Sequence, residues 1–307
     1  MAILGFGNQG RAQAHNLRDS GAEVRIVARP GKSARQARRE GFPVLPLGSP
    51  LQHFQFIAVL LPDCAIPDVL SNHVFPRLEP ASAPAFVFAH GYSLIHGAIR
   101  FPQRSDVVLV APLGPGDDLR RRYQEKSGVA CWIAIHRNAS KQALSRALAY
   151  AWGIGSLRAG ALRTTVQSEV HTDLFGERAV LVGGLLAIIL TGFEVLREAG
   201  FPPEASLLET AYQLRSLAEL LEEHGPLGML ARVSHTAREG ALEQLPYLCH
   251  ALRRPFASIL QDVRRGLPIR KHKPPQGDRL LNGALRDVQA ALQQLQALGI
   301  IPSSSRS

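Results

Sequence analysis

Ala2-Ile3-Leu4-Gly5-Phe6-Gly7-Asn8-Gln9-Gly10 decides how the first half of this chain folds. Three apolar residues suited to a short strand run into a G-x-G-x-x-G turn, and Arg11, Ala14, Leu17 and Arg18 carry it on as a helix toward Ser20-Gly21. Strand, glycine turn and helix in that order make the dinucleotide-binding fingerprint. Gly5 permits the tight turn, Gly7 lets backbone approach a pyrophosphate, and Gly10 lets helix and strand pack closely. Phe6, Asn8 and Gln9 share the turn, where the amides and dipole of the helix start favour an anion.

The next strand, Glu23 to Ala28, ends at Arg29 and leads to Gly31-Lys32-Ser33. A strand end that selects NAD carries a carboxylate for the ribose hydroxyls, and none stands here. Arg29, Lys32 and Ser33 suit a 2'-phosphate instead, which predicts NADPH. An exposed basic loop without a ligand is the alternative.

Apolar strands are expected at Phe56 to Leu60, Ala85 to Phe88, Val107 to Val110 and Cys131 to Ile135, separated by helical or turn segments. That alternation implies an α/β domain with a mostly parallel, doubly wound sheet. Leu61-Pro62-Asp63 and Ala89-His90-Gly91 follow strand ends, where such sheets bind ligands, so His90 is placed to touch substrate or nicotinamide. A structural histidine is the alternative. Ala111-Pro112-Leu113-Gly114-Pro115-Gly116, held by two prolines, reads as a rigid wall over a site.

Beyond Arg163 the strand patterns vanish. Helices are expected over Leu174 to Ala199, Pro203 to His224, Pro226 to Arg238, Pro255 to Arg265 and Gly283 to Leu298. This divides the chain into a Rossmann domain, 1–162, and an all-α domain, 163–307. Thr172-Asp173-Leu174-Phe175-Gly176-Glu177 places two carboxylates four positions apart at the head of an apolar helix, so Asp173 and Glu177 share a face. Such a pair suits a divalent cation, although acids favoured by the helix dipole give the same spacing. Glu209 and Gln213 repeat it with an amide in second place; by spacing alone Glu209 is equally a solvated residue.

With 307 residues, 46% of them hydrophobic, the chain has material for two domains with buried cores. The longest uncharged apolar run, Ala179 to Phe193, is about fifteen residues against the roughly twenty of a membrane span, and reads as a buried core helix. Met1 to Leu4 enter the glycine motif directly, without a signal segment, so a cytoplasmic protein is expected. Cys64, Cys131 and Cys249 form no Cys-x-x-Cys pair and are expected to be packed thiols. The net charge is +10, with arginine clusters at Arg35 to Arg39, Arg120 to Arg122 and Arg264 to Lys273. Scattered, and poor in interleaved aromatic residues, they favour small anions over nucleic acid.

Taken together, Gly5 to Gly10, Asn16-Leu17-Arg18-Asp19-Ser20-Gly21, Ala89-His90-Gly91-Tyr92, Ala111 to Gly116 and Thr172 to Glu177 resemble the ketol-acid reductoisomerase (acetohydroxyacid isomeroreductase) family in order and spacing. The likeness runs from residue 1 to about residue 240 and is thinner beyond. It implies an NADPH-binding Rossmann domain, an all-helical knotted domain that carries two magnesium ions, and a homodimer. It also implies the reaction: alkyl migration in a 2-acetohydroxy acid, then hydride reduction to a 2,3-dihydroxy acid for branched-chain amino acid synthesis. By the same resemblance Asp173 bridges the two metals and Glu177 and Glu209 are further ligands. Ser234 meets the substrate carboxylate, and His90 is the active-site histidine.

The chain departs from that pattern at telling places. Gln213 stands where the family has a fourth metal carboxylate, and Leu113 where its Pro-Lys-Gly-Pro-Gly loop has a lysine. A neutral amide oxygen binds magnesium less well, so one magnesium site is expected and the second is weakened. Ile95 replaces a common histidine, His171 replaces an acid, and the first strand is shorter than in the family. Three readings follow: the full isomeroreductase, a keto-acid reductase that has lost the shift, and a non-catalytic NADPH-binding homologue.

Overall fold

The computed structural model describes residues 1–266 and 279–301, with side chains of the last helix described from residue 283. It divides into two compact units, Met1–Thr172 and Asp173–Ser307. The basic stretch over 267–273 and the serine tail at 303–305 lie outside the described residues.

The first unit alternates strand and helix as expected. Its elements are β1 (Ala2–Leu4), α1 (Asn8–Asp19), β2 (Arg25–Ala28), α2 (Lys32–Arg39), β3 (Val44–Pro46), β4 (Phe56–Val59), and a short α3 (Ile66–Asp68). There follow β5 (Ala85–Phe88), α4 (Tyr92–His96), β6 (Asp106–Pro112), α5 (Gly116–Gln124), β7 (Cys131–Arg137), α6 (Ala143–Gly153) and β8 (Ala161–Arg163). They build an eight-stranded sheet in the order β3-β2-β1-β4-β5-β6-β7-β8. Every pairing is parallel except β6 with β7. Strands β1 and β5 are buried along their whole length, as unbroken apolar runs in a sheet covered on both faces must be. The order reverses between β1 and β4, and the crevice outside the carboxyl ends of that pair is where such sheets hold a ligand.

Strands β3 and β8 are additions to the sequence reading. Each has three residues at a sheet edge and is half or fully exposed, so neither shows a buried apolar run. The cysteines divide: Cys131 is buried, and burial pushes its thiol up to about 11, whereas Cys64 and Cys249 are exposed rather than packed. In the cluster at Arg120 to Arg122, Arg120 pairs with Asp19, while Arg121 and Arg122 pair with Asp118. These charges are spent locally.

The remaining helices are α7 (Val166–Phe175), which runs through the division between the units, α8 (Gly183–Glu198), α9 (Pro203–Leu207), α10 (Leu214–Leu230), α11 (His235–Arg264) and α12 (Arg279–Ala297). Helix α7 starts eight residues before the expected Leu174, where the Thr165 hydroxyl accepts the Ser168 amide at 3.0 Å as a cap. Asp173 therefore lies in the third turn rather than at a helix head, and the dipole gives no reason for an acid there. A π turn over Gly176–Leu181 follows, with Val182 N donating to Glu177 O at 3.1 Å. The extra residue crowds the inner backbone. A Cβ on Gly183 would stand 2.1 Å from the Arg178 carbonyl oxygen, which explains the glycine pair in this apolar run.

That run is not the buried core helix expected. Ala179, Leu190 and Phe193 are buried, but Leu181 is 67% exposed and Ile188 62%. Taken from Val166 to Glu198, the helix is long and apolar enough by length and composition to cross a membrane, and little of it is covered within the chain. The core of the second unit is small: Phe193, Leu207, Ala291 and Leu295, ringed by Leu208, Ala211, Val288 and Leu292.

Further boundaries differ from expectation. Pro203 to His224 is broken by a second π turn at Leu208–Tyr212. Helix α10 bends at Gly225, whose φ of 67° is a conformation glycine takes without strain. The expected helix over Pro226 to Arg238 ends at Leu230, and Ser234 caps α11 instead. Helix α11 in turn runs through Pro246 and Pro255, each of which removes one backbone hydrogen bond and crowds the turn before it.

Candidate active site

The glycine turn leaves the carboxyl end of β1 at the point where strand order reverses. Gly5 has φ 95°, and a Cβ on it would fall 2.5 Å from the Leu60 carbonyl oxygen. A Cβ on Gly10 would meet Gly5 O at 2.7 Å, whereas at Gly7 nothing lies within 4 Å. Gly5 and Gly10 are thus required by the fold, and Gly7 faces open space at the start of α1. This is the cradle a pyrophosphate needs.

Asn8 and Gln9 spend their side chains on the loop after β6. The Gly116 amide donates to Asn8 Oδ1 at 2.5 Å, Asn8 Nδ2 donates to Asp117 at 3.1 Å, and Gln9 Nε2 donates to the Gly114 carbonyl at 2.9 Å. A Cβ on Gly116 would sit 2.4 Å from Asn8 O, so loop and turn touch backbone to backbone. Leu113, half exposed in the same loop, brings no charge. Arg29, Lys32 and Ser33 are exposed where β2 passes into α2, with their side chains turned to no ion-pair partner among the described residues. Two cations and a hydroxyl beside a helix start make a positively charged corner of the kind that suits an anion.

At the carboxyl end of β5, His90 Nδ1 lies 3.1 Å from Glu169 Oε1, and the Gly91 amide donates to Glu169 Oε2 at 3.1 Å. Glu169 is 2% exposed. Gly91 makes this approach feasible, because a Cβ there would stand 2.7 Å from Val166 and 2.8 Å from Val170 on α7. With the carboxylate opposite it, Nδ1 is placed to donate to Glu169, which orients the imidazole. Ser93 Oγ, just past His90, donates to Asp63 Oδ1 at 2.8 Å and ties the loop after β4 to the same corner.

Glu169 was not among the residues read from the sequence. Its signal was there: Glu169, Asp173 and Glu177 recur every fourth position. On α7 the carboxylates of Glu169 and Asp173 come within 4.8 Å of each other, one turn apart on one face. Asp173 and Glu177 are exposed, while Leu174 and Ala179 between and after them are buried. Glu209 is also exposed and accepts a long hydrogen bond, 3.4 Å, from Gln213 Nε2. Among the described residues, Glu177 and Glu209 join no cluster of three metal-binding side chains. Ser234 Oγ accepts the Ala237 amide at 3.2 Å and keeps its own O–H to donate.

Comparison with known proteins agrees across both units. A family model described as acetohydroxy acid isomeroreductase, NADPH-binding domain, matches residues 1–160, and one described as ketol-acid reductoisomerase, C-terminal domain, matches residues 166–290. The ketol-acid reductoisomerase (NADP(+)) of Methanopyrus kandleri is 40% identical over 267 residues, covering 87% of this chain and 81% of that protein. Among solved structures, an NADH-preferring ketol-acid reductoisomerase from an uncultured archean superposes with a TM-score of 0.82 at 31% identity, over 97% of this chain and 87% of that one. A semialdehyde dehydrogenase NAD-binding protein from Cupriavidus necator, with a TM-score of 0.64 at 18% identity over 86% of this chain and 98% of its own, shares the fold alone.

Proposed function

The chain belongs to the ketol-acid reductoisomerase family, and from that premise we propose that it converts a 2-acetohydroxy acid to a 2,3-dihydroxy acid, with NADPH as reductant and magnesium as the metal, in branched-chain amino acid synthesis. The observation that carries this reading is the buried Glu169 carboxylate held between His90 and the Gly91 amide at the ligand end of the sheet.

Asp173 and Glu177 would hold the metal, with Glu209 as a further ligand. An all-oxygen donor set suits a hard cation, and no dipole accounts for Asp173 where it stands. A magnesium ion held there would supply Lewis acidity toward the substrate's hydroxyl and ketone oxygens. The open face at Gly7 takes the pyrophosphate and the Arg29-Lys32-Ser33 corner the 2'-phosphate of NADPH, which supplies the hydride.

This chain's own residues do the rest. Glu169 orients the His90 ring and stabilises its imidazolium, which suits His90 to take up and return a proton at a substrate oxygen. Ser234, its lone pair engaged by Ala237, donates its hydroxyl to the substrate carboxylate. The loop from Ala111 to Gly116 excludes water above the turn.

The exposed apolar side chains of α8 and α11, among them Ile188, Leu245 and Leu248, support a homodimer that covers them. Burial against a second copy also accounts for the apolar helix over 166–198 without a membrane, so the enzyme belongs in the cytoplasm; cell fractionation checks this.

A second reading is favoured by two observations. Gln213 gives its amide to Glu209 and Leu113 brings no lysine, so the second metal is held weakly and hydride transfer, the less demanding step, can outlast the alkyl shift. NADPH oxidation with magnesium is measured with 2-acetolactate and, separately, with 3-hydroxy-3-methyl-2-oxobutanoate, the product of the shift. Turnover of both supports the full reaction, turnover of the second alone supports the reductase, and turnover of neither leaves a cofactor-binding homologue.

A further inference from the structure

A line of three polar side chains crosses the interior of the first unit and ends at the loop beside the glycine turn. Tyr150 Oη donates to Gln13 Oε1 at 2.7 Å, Gln13 Nε2 donates to Gln9 Oε1 at 3.0 Å, and Gln9 Nε2 donates to the Gly114 carbonyl at 2.9 Å. Tyr150 is 1% exposed and Gln13 0%. Neither is used by the chemistry above, and an apolar pair would fill the same space.

The direction of the line is fixed by its last member. A backbone carbonyl only accepts, so Gln9 must turn its NH2 toward Gly114 and its oxygen toward Gln13. Gln13 must then do the same, which leaves its oxygen for Tyr150. Burial raises the Tyr150 hydroxyl far above its ordinary range, so it remains a neutral donor. Reversing any amide would set two donors or two acceptors face to face in a buried site, at a cost well above that of a typical exposed hydrogen bond.

We infer that Tyr150, Gln13 and Gln9 are positioning residues for the cofactor: a one-way hydrogen-bond relay from the protein core that locks the loop over 112–116 onto the phosphate-binding turn. Asn8 supplies the other clamp, through Gly116 and Asp117. Consecutive residues at the start of α1 thus both grip the loop, and the amides that face a pyrophosphate are aimed by contacts reaching back to Tyr150. The ring of Tyr150 is held independently against Phe56, with centroids 6.3 Å apart, so loss of the hydroxyl alone interrupts the relay without emptying the core.

The inference rests on the glycine turn being an NADPH site. The test measures the Kd for NADPH by fluorescence, and Tm, for the full chain, Tyr150→Phe, Gln13→Leu and the double variant. Ser140→Ala is the control, because it removes a hydrogen bond to buried Asp106 at the opposite end of β6. Each relay variant is expected to raise the NADPH Kd about five- to tenfold, with the double variant no worse than either single one. KM for NADPH should rise in step while kcat changes less than twofold, and Ser140→Ala should lower Tm with its Kd unchanged. A Kd within twofold of the parent in both relay variants, whatever their Tm, overturns the relay. Failure of the parent chain to bind NADPH overturns the cofactor site itself.

Discussion

His90 and Glu169, 79 positions apart in the chain, meet at 3.1 Å between Nδ1 and Oε1, and they do so because the residue after His90 is a glycine lying flat under α7. Gly91→Ala would drive a methyl group to within 3.0 Å of Val166, Val170 and Glu169 together. We expect a stability loss of about 1–3 kcal/mol, read as a lowered urea midpoint, and a fall in kcat larger than that loss explains. Unchanged stability would show that α7 yields freely.

Glu169→Gln conserves volume and removes the charge. The amide cannot accept from both His90 and Gly91, because one of its two atoms is a donor, so the histidine loses either its tautomer or its orientation. The expected fall in kcat is on the order of 10²-fold with the NADPH Kd unchanged, measured by steady-state kinetics and cofactor titration.

Much of this architecture was legible in the sequence, for identifiable reasons. The β5 strand was read at its observed limits because four adjacent apolar residues, all buried, leave no ambiguity. The glycine turn was legible because Gly5 and Gly10 are forced by contacts to Leu60 and to each other. The start of α7 was hidden by Gln167-Ser168-Glu169, polar residues that reveal a helix only through the Thr165 cap. The fourfold spacing of Glu169, Asp173 and Glu177 is a local signal, but the pairing of Glu169 with His90 depends on the loop after β5, 79 positions away, which no local pattern reports. Gln13 carries no sequence signal for its burial, because a glutamine on a helix shows no apolar periodicity, yet it is fully buried. The exposure of Ala179 to Phe193 was missed because apolar composition does not say whether a helix is covered by its own chain or by another.

Arg29 and Lys32 flank a corner suited to a 2'-phosphate, whereas one structural relative is NADH-preferring. Arg29→Glu should raise KM for NADPH about tenfold or more, from loss of a charge-assisted contact, and leave KM for NADH nearly unchanged. The ratio of kcat/KM for the two cofactors is the measurement.

Glu40 ties part of the first unit's stability to pH. Burial raises its carboxyl pKa, but hydrogen bonds from His15, Arg11 and Gln36 outweigh that, and the net value is lowered. A carboxyl depressed in the folded state adds stability above its unfolded value, near pH 4 to 4.5, and that stability disappears as pH falls through the folded value. Glu40→Gln should therefore lower Tm at pH 7, and the gap to the parent should narrow toward pH 3. A constant gap would assign Glu40 a packing role.

The most direct test of the account is magnesium-dependent NADPH oxidation with both keto-acid substrates, comparing the parent chain with Asp173→Ala. Loss of more than about 10³-fold in turnover, with the NADPH Kd within twofold of the parent, is the result predicted for a carboxylate that holds the metal. Turnover of Asp173→Ala equal to the parent, at the same magnesium dependence, would contradict it.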